Sequence, residues 1–288
     1  MITYPGVKIN IGLNVLRKRE DGYHDLETLF WPCREYSDVL EIVRADDFSE
    51  TAESLRTKYL SCGDAEMALP IRQAVTEDAK LMMTIARAEG VDWAPEKDLC
   101  VRAYYLLLND FPDLTSVKIF LEKRSPVGAG LGGGSADAAF ALKMMNDMFS
   151  LGLSKDDLAS YAARLGSDCA FFIYDEPMFG TGRGEQLSPY DSSILDGYHI
   201  KLTVPENVSV KTAEAYRGVI PHFPEVPLAD ALRNPVSSWR TLVHNDFEDS
   251  VFVSHPELAS VKDDIYASGA VYASMSGSGS AFFGIYED

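Results

Sequence analysis

The stretch Pro126-Val-Gly-Ala-Gly-Leu-Gly-Gly-Gly-Ser135 places five glycines in seven positions, directly before SADAAFALKMMNDMF, a run of helix formers with no breaker until Gly152. Residues without Cβ let successive backbone N–H groups close on a ligand. A helix beginning near Ser135 aims its unpaired N–H groups and the positive end of its dipole at the same point. The segment therefore predicts an anion site, suited to a polyphosphate, that needs no lysine. A merely flexible connection would carry the entropy cost of so many glycines for no return.

Gly128-x-Gly130-x-x-Gly133 also spells a dinucleotide fingerprint, but the context differs. A dinucleotide loop follows its strand at once, whereas Lys123 to Val127 separate SVKIFLEK from the first glycine, and no acidic residue ends a strand ~20 positions on. GxxxxGK[ST], HRD and DFG are also absent, which excludes a Walker-type P-loop and a protein kinase. A second run, Met275-Ser-Gly-Ser-Gly-Ser280, precedes the last apolar strand, AFFGIY. It reads equally as a hairpin tip or as a turn with convergent amides. The two runs could line opposite sides of one cleft.

Working outward, VKINIGLNVL over 7–16 alternates apolar and polar residues and predicts a strand with one buried face, with Lys8, Asn10 and Asn14 on the other. A turn at Asp21-Gly22 leads to a second strand ending at Trp31, and 39–43 reads as a third. The polar region 49–96 carries one expected helix near 77–89. DLCVRAYYLLLNDF from Asp98 predicts a buried helix ended by Phe111-Pro112. Ser154 with Asp157 reads as the start of a further helix and Gly166 as its end, and 256–267 reads as another. Strands and helices alternate without strict βαβ regularity, so the expected class is α+β, with two domains divided near Pro177, at 1–177 and 178–288.

The chain has 288 residues, with 46% apolar and 24% charged side chains, as globular domains do. Its 44 acidic residues against 26 basic ones give a net charge of −18, a field that repels nucleic acid and anionic membranes. The same field repels phosphorylated metabolites, so such a ligand must be held by local dipoles, a few placed cations and Mg²⁺. The four cysteines, Cys33, Cys62, Cys100 and Cys169, show no metal-ligand spacing and are too few to staple the fold. The five histidines form neither HxH nor HExxH, so no metal ligands are expected among the site residues. Without a signal segment or ~18 consecutive apolar residues, a cytoplasmic protein is expected, with no nucleic acid or membrane partner.

Taken together, these motifs resemble the GHMP small-molecule kinases. PVGAGLGGGSADAA is similar to that family's signature, MSGSGSAFFG to its third motif, and LGSDCAFFI to its LGxDxPFF segment. VKINIGLNVLRKREDGYHDLETLF resembles the AKxNLxLxV…RxDGYHxLxTLF opening of the branch that phosphorylates 4-diphosphocytidyl-2-C-methylerythritol. The resemblance runs from residue 7 to residue 284. It implies a two-domain fold, with an N-terminal domain like domain 2 of ribosomal protein S5, a ferredoxin-like C-terminal domain and an active site in the cleft between them.

The resemblance also implies ATP and Mg²⁺ as cofactors, a small-molecule substrate, and a monomer or weak homodimer. By motif position Asp168 is the base and Lys8 its cationic partner. Without the resemblance, Asp168 reads as a turn residue after Gly166 and Lys8 as a solvated strand residue. Lys123, Pro126, Gly128, Gly130, Leu131, Gly132, Gly133, Gly134, Ser135 and Ala136 are the expected nucleotide contacts. Asn10, Tyr23, His24, Tyr216, Gly277, Ser278 and Gly279 are the expected substrate contacts, with Tyr23 and Tyr216 stacking on cytosine. Ser135 and Asp137 are candidates for Mg²⁺ or phosphate. Ala170 replaces a common proline of the family, and Asp98 replaces an asparagine near the adenine. The rival readings are another small-alcohol kinase, of homoserine or mevalonate type, and a nucleotide-binding module without turnover.

Overall fold

The segment VKINIGLNVL forms a strand whose residues from Gly6 to Val15 are all buried, on both faces. The expected solvated face does not exist: Lys8, Asn10 and Asn14 are 3%, 2% and 6% exposed. Polar side chains enclosed in this way must find partners in the protein, and each does.

The computed structural model describes residues 1–46, 71–86, 91–206 and 208–288. In chain order the strands are β1 (Ile2–Thr3), β2 (Gly6–Lys18), β3 (His24–Ser37), β4 (Val39–Arg44), β5 (Ile71–Val75), β6 (Leu81–Ala86), β7 (Val117–Glu122), β8 (Met178–Thr181), β9 (Gln186–Pro189), β10 (Tyr198–Thr203), β11 (Tyr272–Met275) and β12 (Phe282–Glu287). The helices are α1 (Leu99–Asp110), α2 (Gly133–Phe149), α3 (Lys155–Leu165), α4 (Cys169–Tyr174), α5 (Thr212–Gly218), α6 (Leu228–Ala231), α7 (Trp239–Leu242), α8 (Phe247–Ser254) and α9 (Pro256–Ala267). No helix of the described residues is long and apolar enough to cross a membrane.

The chain divides into two units, each discontinuous in sequence. The first comprises Met1–Gly6, Tyr36–Val127 and Gly133–Tyr174, and the second Val7–Glu35, Gly128–Gly132 and Asp175–Asp288. In the first unit a five-stranded sheet runs β1-β4-β7-β6-β5, with β6 parallel to β7 and the other pairs antiparallel. Helix α2 packs beside α1, α3 and α4 through the small buried residues Ala136, Ala138, Ala139 and Ala141, which let helices approach closely.

The helix expected near 77–89 is instead a hairpin of β5 and β6; residues 87–89 lie outside the described residues. Local chemistry at the turn explains the difference. Asp78 accepts hydrogen bonds from Thr76 Oγ1 (2.8 Å) and the Lys80 amide (3.1 Å), which offers the backbone a turn in place of a helix. Pairing of LMMTIA between β7 and β5 then outweighs the helix propensity of Leu and Met.

In the second unit one sheet runs β2-β3-β8-β9 and another β10-β12-β11. β3 continues six residues beyond the expected end at Trp31. Leu13, Val15, Phe247, Val251, Leu258, Ile265, Met275 and Phe282 share one apolar cluster.

The start of α3 is a complete capping box, in which Ser154 Oγ accepts from the Asp157 amide (3.1 Å) and the Asp157 carboxylate accepts from the Ser154 amide (2.9 Å). Ser154→Ala should lower stability by ~1 kcal/mol, read as a lower urea midpoint with unchanged slope. An unchanged midpoint would show that the box contributes nothing.

Candidate active site

Helix α2 begins at Gly133, two residues before the expected Ser135, so Gly133, Gly134, Ser135 and Ala136 form its first turn, where the backbone N–H groups lack intrahelical acceptors. Gly133 packs on the end of β7: a Cβ there would stand 2.5 Å from Ser125 Oγ and 3.4 Å from Lys123 Nζ. Only glycine fits at that distance.

Lys123 is 5% exposed, and its ammonium is bonded to Asp38, to Asp137 Oδ2 (2.8 Å) and to Ser125 Oγ (3.3 Å). Burial alone would lower its pKa, but the charges of Asp137 and Asp38 together outweigh that effect and raise it, so Lys123 is a fixed cation. Asp137 points into this cluster and is 1% exposed. Burial and the nearby Asp38 charge push its carboxyl well above the usual range against the opposing pull of Lys123, and among the described residues its Oδ1 has no hydrogen-bond partner. Asp98, where the family carries asparagine, caps α1 by accepting from the Cys100 amide (2.9 Å) and also accepts from Trp93 Nε1 (2.9 Å).

Asp168 is half-buried in the turn between Gly166 and α4, a position set by the end of α3 and by the buried run CAFFI. Helix α2 packs on α4, which opens at Cys169 directly after Asp168, and the Ser135 side chain acts on the Cys169 thiol. The helix beginning at the glycines and the LGSD turn therefore meet within the first unit. Burial, with Asp168 nearby, pushes the Cys169 thiol up to about 12, so it stays protonated beside the aspartate.

In the second unit Lys8 Nζ donates to Asn10 Oδ1 and to the Gly130 carbonyl (3.0 Å). Asn10 Nδ2 donates to Thr28 Oγ1 (3.0 Å), which donates to the Gly12 carbonyl (2.6 Å). The two glycine runs do not line opposite sides of a gap here. They pack directly on each other: Ser276 Oγ donates to the Gly130 carbonyl (3.2 Å), and the Ala281 amide to that of Ala129 (3.0 Å). Gly130 has φ +78°, and a Cβ on it would lie 2.2 Å from the Ser276 carbonyl oxygen. A Cβ on Gly277 would come within 3.5 Å of Lys8 Nζ and 3.3 Å of Asn10 Oδ1, so the second run reaches the lysine as well. Ser278 Oγ bonds Thr212 Oγ1 at 3.1 Å.

His24 stacks on Tyr216, with centroids 4.9 Å apart and planes at 24°, and Tyr216 meets Phe247 edge-on. Burial first, and then Lys18, lower the His24 pKa, so the ring is neutral at pH 7 and offers one donor and one acceptor. Tyr23 is exposed, and the Arg183 guanidinium lies 4.8 Å from its ring centroid.

Sequence reading missed Asn245 and Asp38. Asn245 Nδ2 donates to the carbonyls of Met275 (2.7 Å) and Gly277 (2.8 Å) and holds the second glycine turn in shape. Nothing in HND marks it, because its role exists only after residues 30 positions apart meet. Asp38 becomes legible once the β4–β7 register is known: Val39 pairs with Glu122, which sets Asp38 beside Lys123. Among the described residues no group of three His, Cys, Asp or Glu side chains gathers as a metal cage.

Residues 98–176 match the model of the GHMP kinases N terminal domain and residues 228–288 that of the GHMP kinases C terminal domain. The chain is 44% identical over 287 residues to 4-diphosphocytidyl-2-C-methyl-D-erythritol kinase of Bacteroides thetaiotaomicron, spanning all of this chain and 92% of the relative. It is 42% identical to the protein of the same name in Parabacteroides distasonis, again over all of this chain and 92% of the relative. A crystal structure of 4-(cytidine 5'-diphospho)-2C-methyl-D-erythritol kinase superposes with TM-score 0.72 at 29% identity, covering 99% of this chain and 89% of that one. Homoserine kinase from Cytophaga hutchinsonii shares the fold at TM-score 0.64 and 16% identity, over 99% of this chain and 86% of its own. The glycine runs, the buried Lys8 and the LGSD turn thus stand in a chain that belongs, over its whole length, to the 4-diphosphocytidyl-2-C-methyl-D-erythritol kinase family of GHMP kinases.

Proposed function

We propose that this protein transfers the γ-phosphoryl group of ATP to the 2-hydroxyl of 4-diphosphocytidyl-2-C-methyl-D-erythritol, a step in non-mevalonate isoprenoid precursor biosynthesis. The observation that carries the reading is the end-to-end likeness to relatives of that name, in a chain that keeps both proposed chemical groups, Lys8 and Asp168. The DGYH segment and the stacked His24–Tyr216 pair favour a cytidyl acceptor over homoserine or mevalonate. The fold alone does not distinguish them, since it is shared with homoserine and mevalonate kinases.

The nucleotide phosphates are assigned to the glycine segment, whose amides and helix dipole suit an anion. The positive φ of Gly128, Gly130 and Gly132 supports this assignment, because such turns aim N–H groups inward. Mg²⁺ would need no protein cage if it arrived with the phosphates, and the Ser135 hydroxyl at the helix start is the side chain that would help hold it. When bound it supplies charge neutralisation on the phosphates.

Asp168 accepts the proton of the 2-hydroxyl as the oxygen–phosphorus bond forms and the bond to the ADP oxygen breaks. Lys8, oriented by Asn10 and the Gly130 carbonyl, holds the acceptor oxygen and offsets its developing charge. In a loose transition state, positioning matters more than the strength of the base. Neutral His24 reads the cytosine edge, and Tyr23 and Tyr216 supply aromatic faces.

An ATP-dependent phosphorylation assay should show turnover of the cytidyl substrate and little of homoserine or mevalonate; preference for either of those would replace this reading. Asp168→Asn should keep nucleotide affinity and lose turnover by ~10²-fold or more, and wild-type turnover would remove Asp168 from the base role. His24→Ala should weaken cytidyl-substrate binding by about tenfold while leaving ATP binding nearly unchanged. Equal losses for both ligands would count against cytosine recognition.

A further inference from the structure

Asp38, at the start of β4, is 1% exposed and receives four hydrogen bonds from three consecutive residues that leave β7. Its Oδ1 accepts from the amides of Arg124 (2.6 Å) and Ser125 (2.7 Å); its Oδ2 accepts from Ser125 Oγ (2.7 Å) and Lys123 Nζ. Charge-assisted bonds of this kind are the strong ones, and here they converge on a single carboxylate.

The partners of Asp38 are in turn the parts that seat α2. Lys123 bonds Asp137, the fifth residue of that helix, and Ser125 Oγ occupies the space where a side chain on Gly133 would begin. One enclosed anion thus fixes the end of the strand, the first residue of the helix and, through Lys123, its second turn. The free N–H groups of that helix are useful to a phosphate only if they point correctly. Hydrogen-bond strength falls off steeply with misalignment, and preorganised donors need no rearrangement on binding.

We infer that Asp38 is a positioning residue for the nucleotide, setting the direction of the α2 amides without touching the ligand. This rests on reading the glycine segment as the ATP site. Asn at this position keeps an acceptor for the two amides but turns an NH₂ group towards the Lys123 ammonium and the Ser125 hydroxyl. Lys123 then keeps Asp137 as its one carboxylate partner, and the helix start shifts.

The test measures dissociation constants for a non-hydrolysable ATP analogue with Mg²⁺ and, separately, for the cytidyl substrate. Asp38→Asn should weaken the analogue tenfold or more, leave the substrate within twofold, and leave kcat at saturating ATP within threefold. Equal weakening of both ligands, or none, overturns the inference, as does a fall in kcat with unchanged ATP affinity. Should Asp38→Asn fail to fold, Ser125→Ala, which deletes one of the four bonds, decides: three- to fivefold weaker analogue binding with unchanged substrate binding is expected, and unchanged analogue binding overturns it. Gly130→Ala separates the two failures. If it leaves analogue affinity intact, the glycine segment is not the ATP site. If it weakens the analogue while Asp38→Asn does not, only the positioning role falls.

Discussion

A chain with 18 surplus negative charges that binds a triphosphate must overcome its own field, and the position of its carboxylates matters more than their number. Around the glycine runs the enclosed acids are spent as acceptors for main-chain and side-chain donors. In the first unit Asp38 takes two amides, a hydroxyl and an ammonium. In the second unit Glu248 takes the Met275 amide (2.8 Å) and Ser274 Oγ (3.1 Å) while paired with Lys262, and Asp246 takes the Val15 amide (2.7 Å). A carboxylate surrounded by donors has its charge matched locally and contributes little field at a distance. The acidity that argued against a phosphate ligand is thus partly the material that shapes the loops.

What the sequence disclosed follows from how far apart the interacting residues stand along the chain. The Ser154–Asp157 box, the helix after Asp98 and the helix at 256–267 depend on neighbours within four residues, and all formed as read. The glycine segment was legible because its chemistry lies in a single run. The hairpin at 71–86 was not, because β6 sits between β5 and β7, and β7 arrives more than thirty residues later. Two-sided burial of β2 was hidden for a similar reason: alternation records which face is apolar, but a polar face is also enclosed when loops from distant sequence supply its partners. Among the described residues Cys33, Cys100 and Cys169 are free and buried, with burial raising the pKa of each.

In the candidate site, motif reading found the residues proposed to meet a ligand and passed over those that hold them. Lys8, His24 and Asp168 sit in strings that recur together, whereas Asn245 and Asp38 sit in strings with no signal of their own. Recognition of a ligand constrains residue types along a short stretch. Support of a loop requires only that some acceptor or donor arrive from somewhere in the fold, and the topology decides where.

Asp137 carries the electrostatic consequence furthest. Were it ionised, Asp38, Lys123 and Asp137 would sum to one negative charge just behind amides assigned to a triphosphate. Burial, reinforced by Asp38 and Asp98, raises its pKa against the pull of Lys123, so Asp137 holds its proton more tightly than an ordinary carboxyl does. The sign of the linkage follows: a carboxyl that binds its proton more tightly folded than unfolded adds stability below the ordinary carboxylate range. That contribution is lost as pH rises from that range through the raised value. Ionisation would then place a second enclosed anion where only one has full hydrogen bonding, a cost set against the favourable pull of the positive end of the helix dipole. The raised pKa of Asp137 therefore works in the same sense as the glycines: it opposes further negative charge behind the amides assigned to the triphosphate.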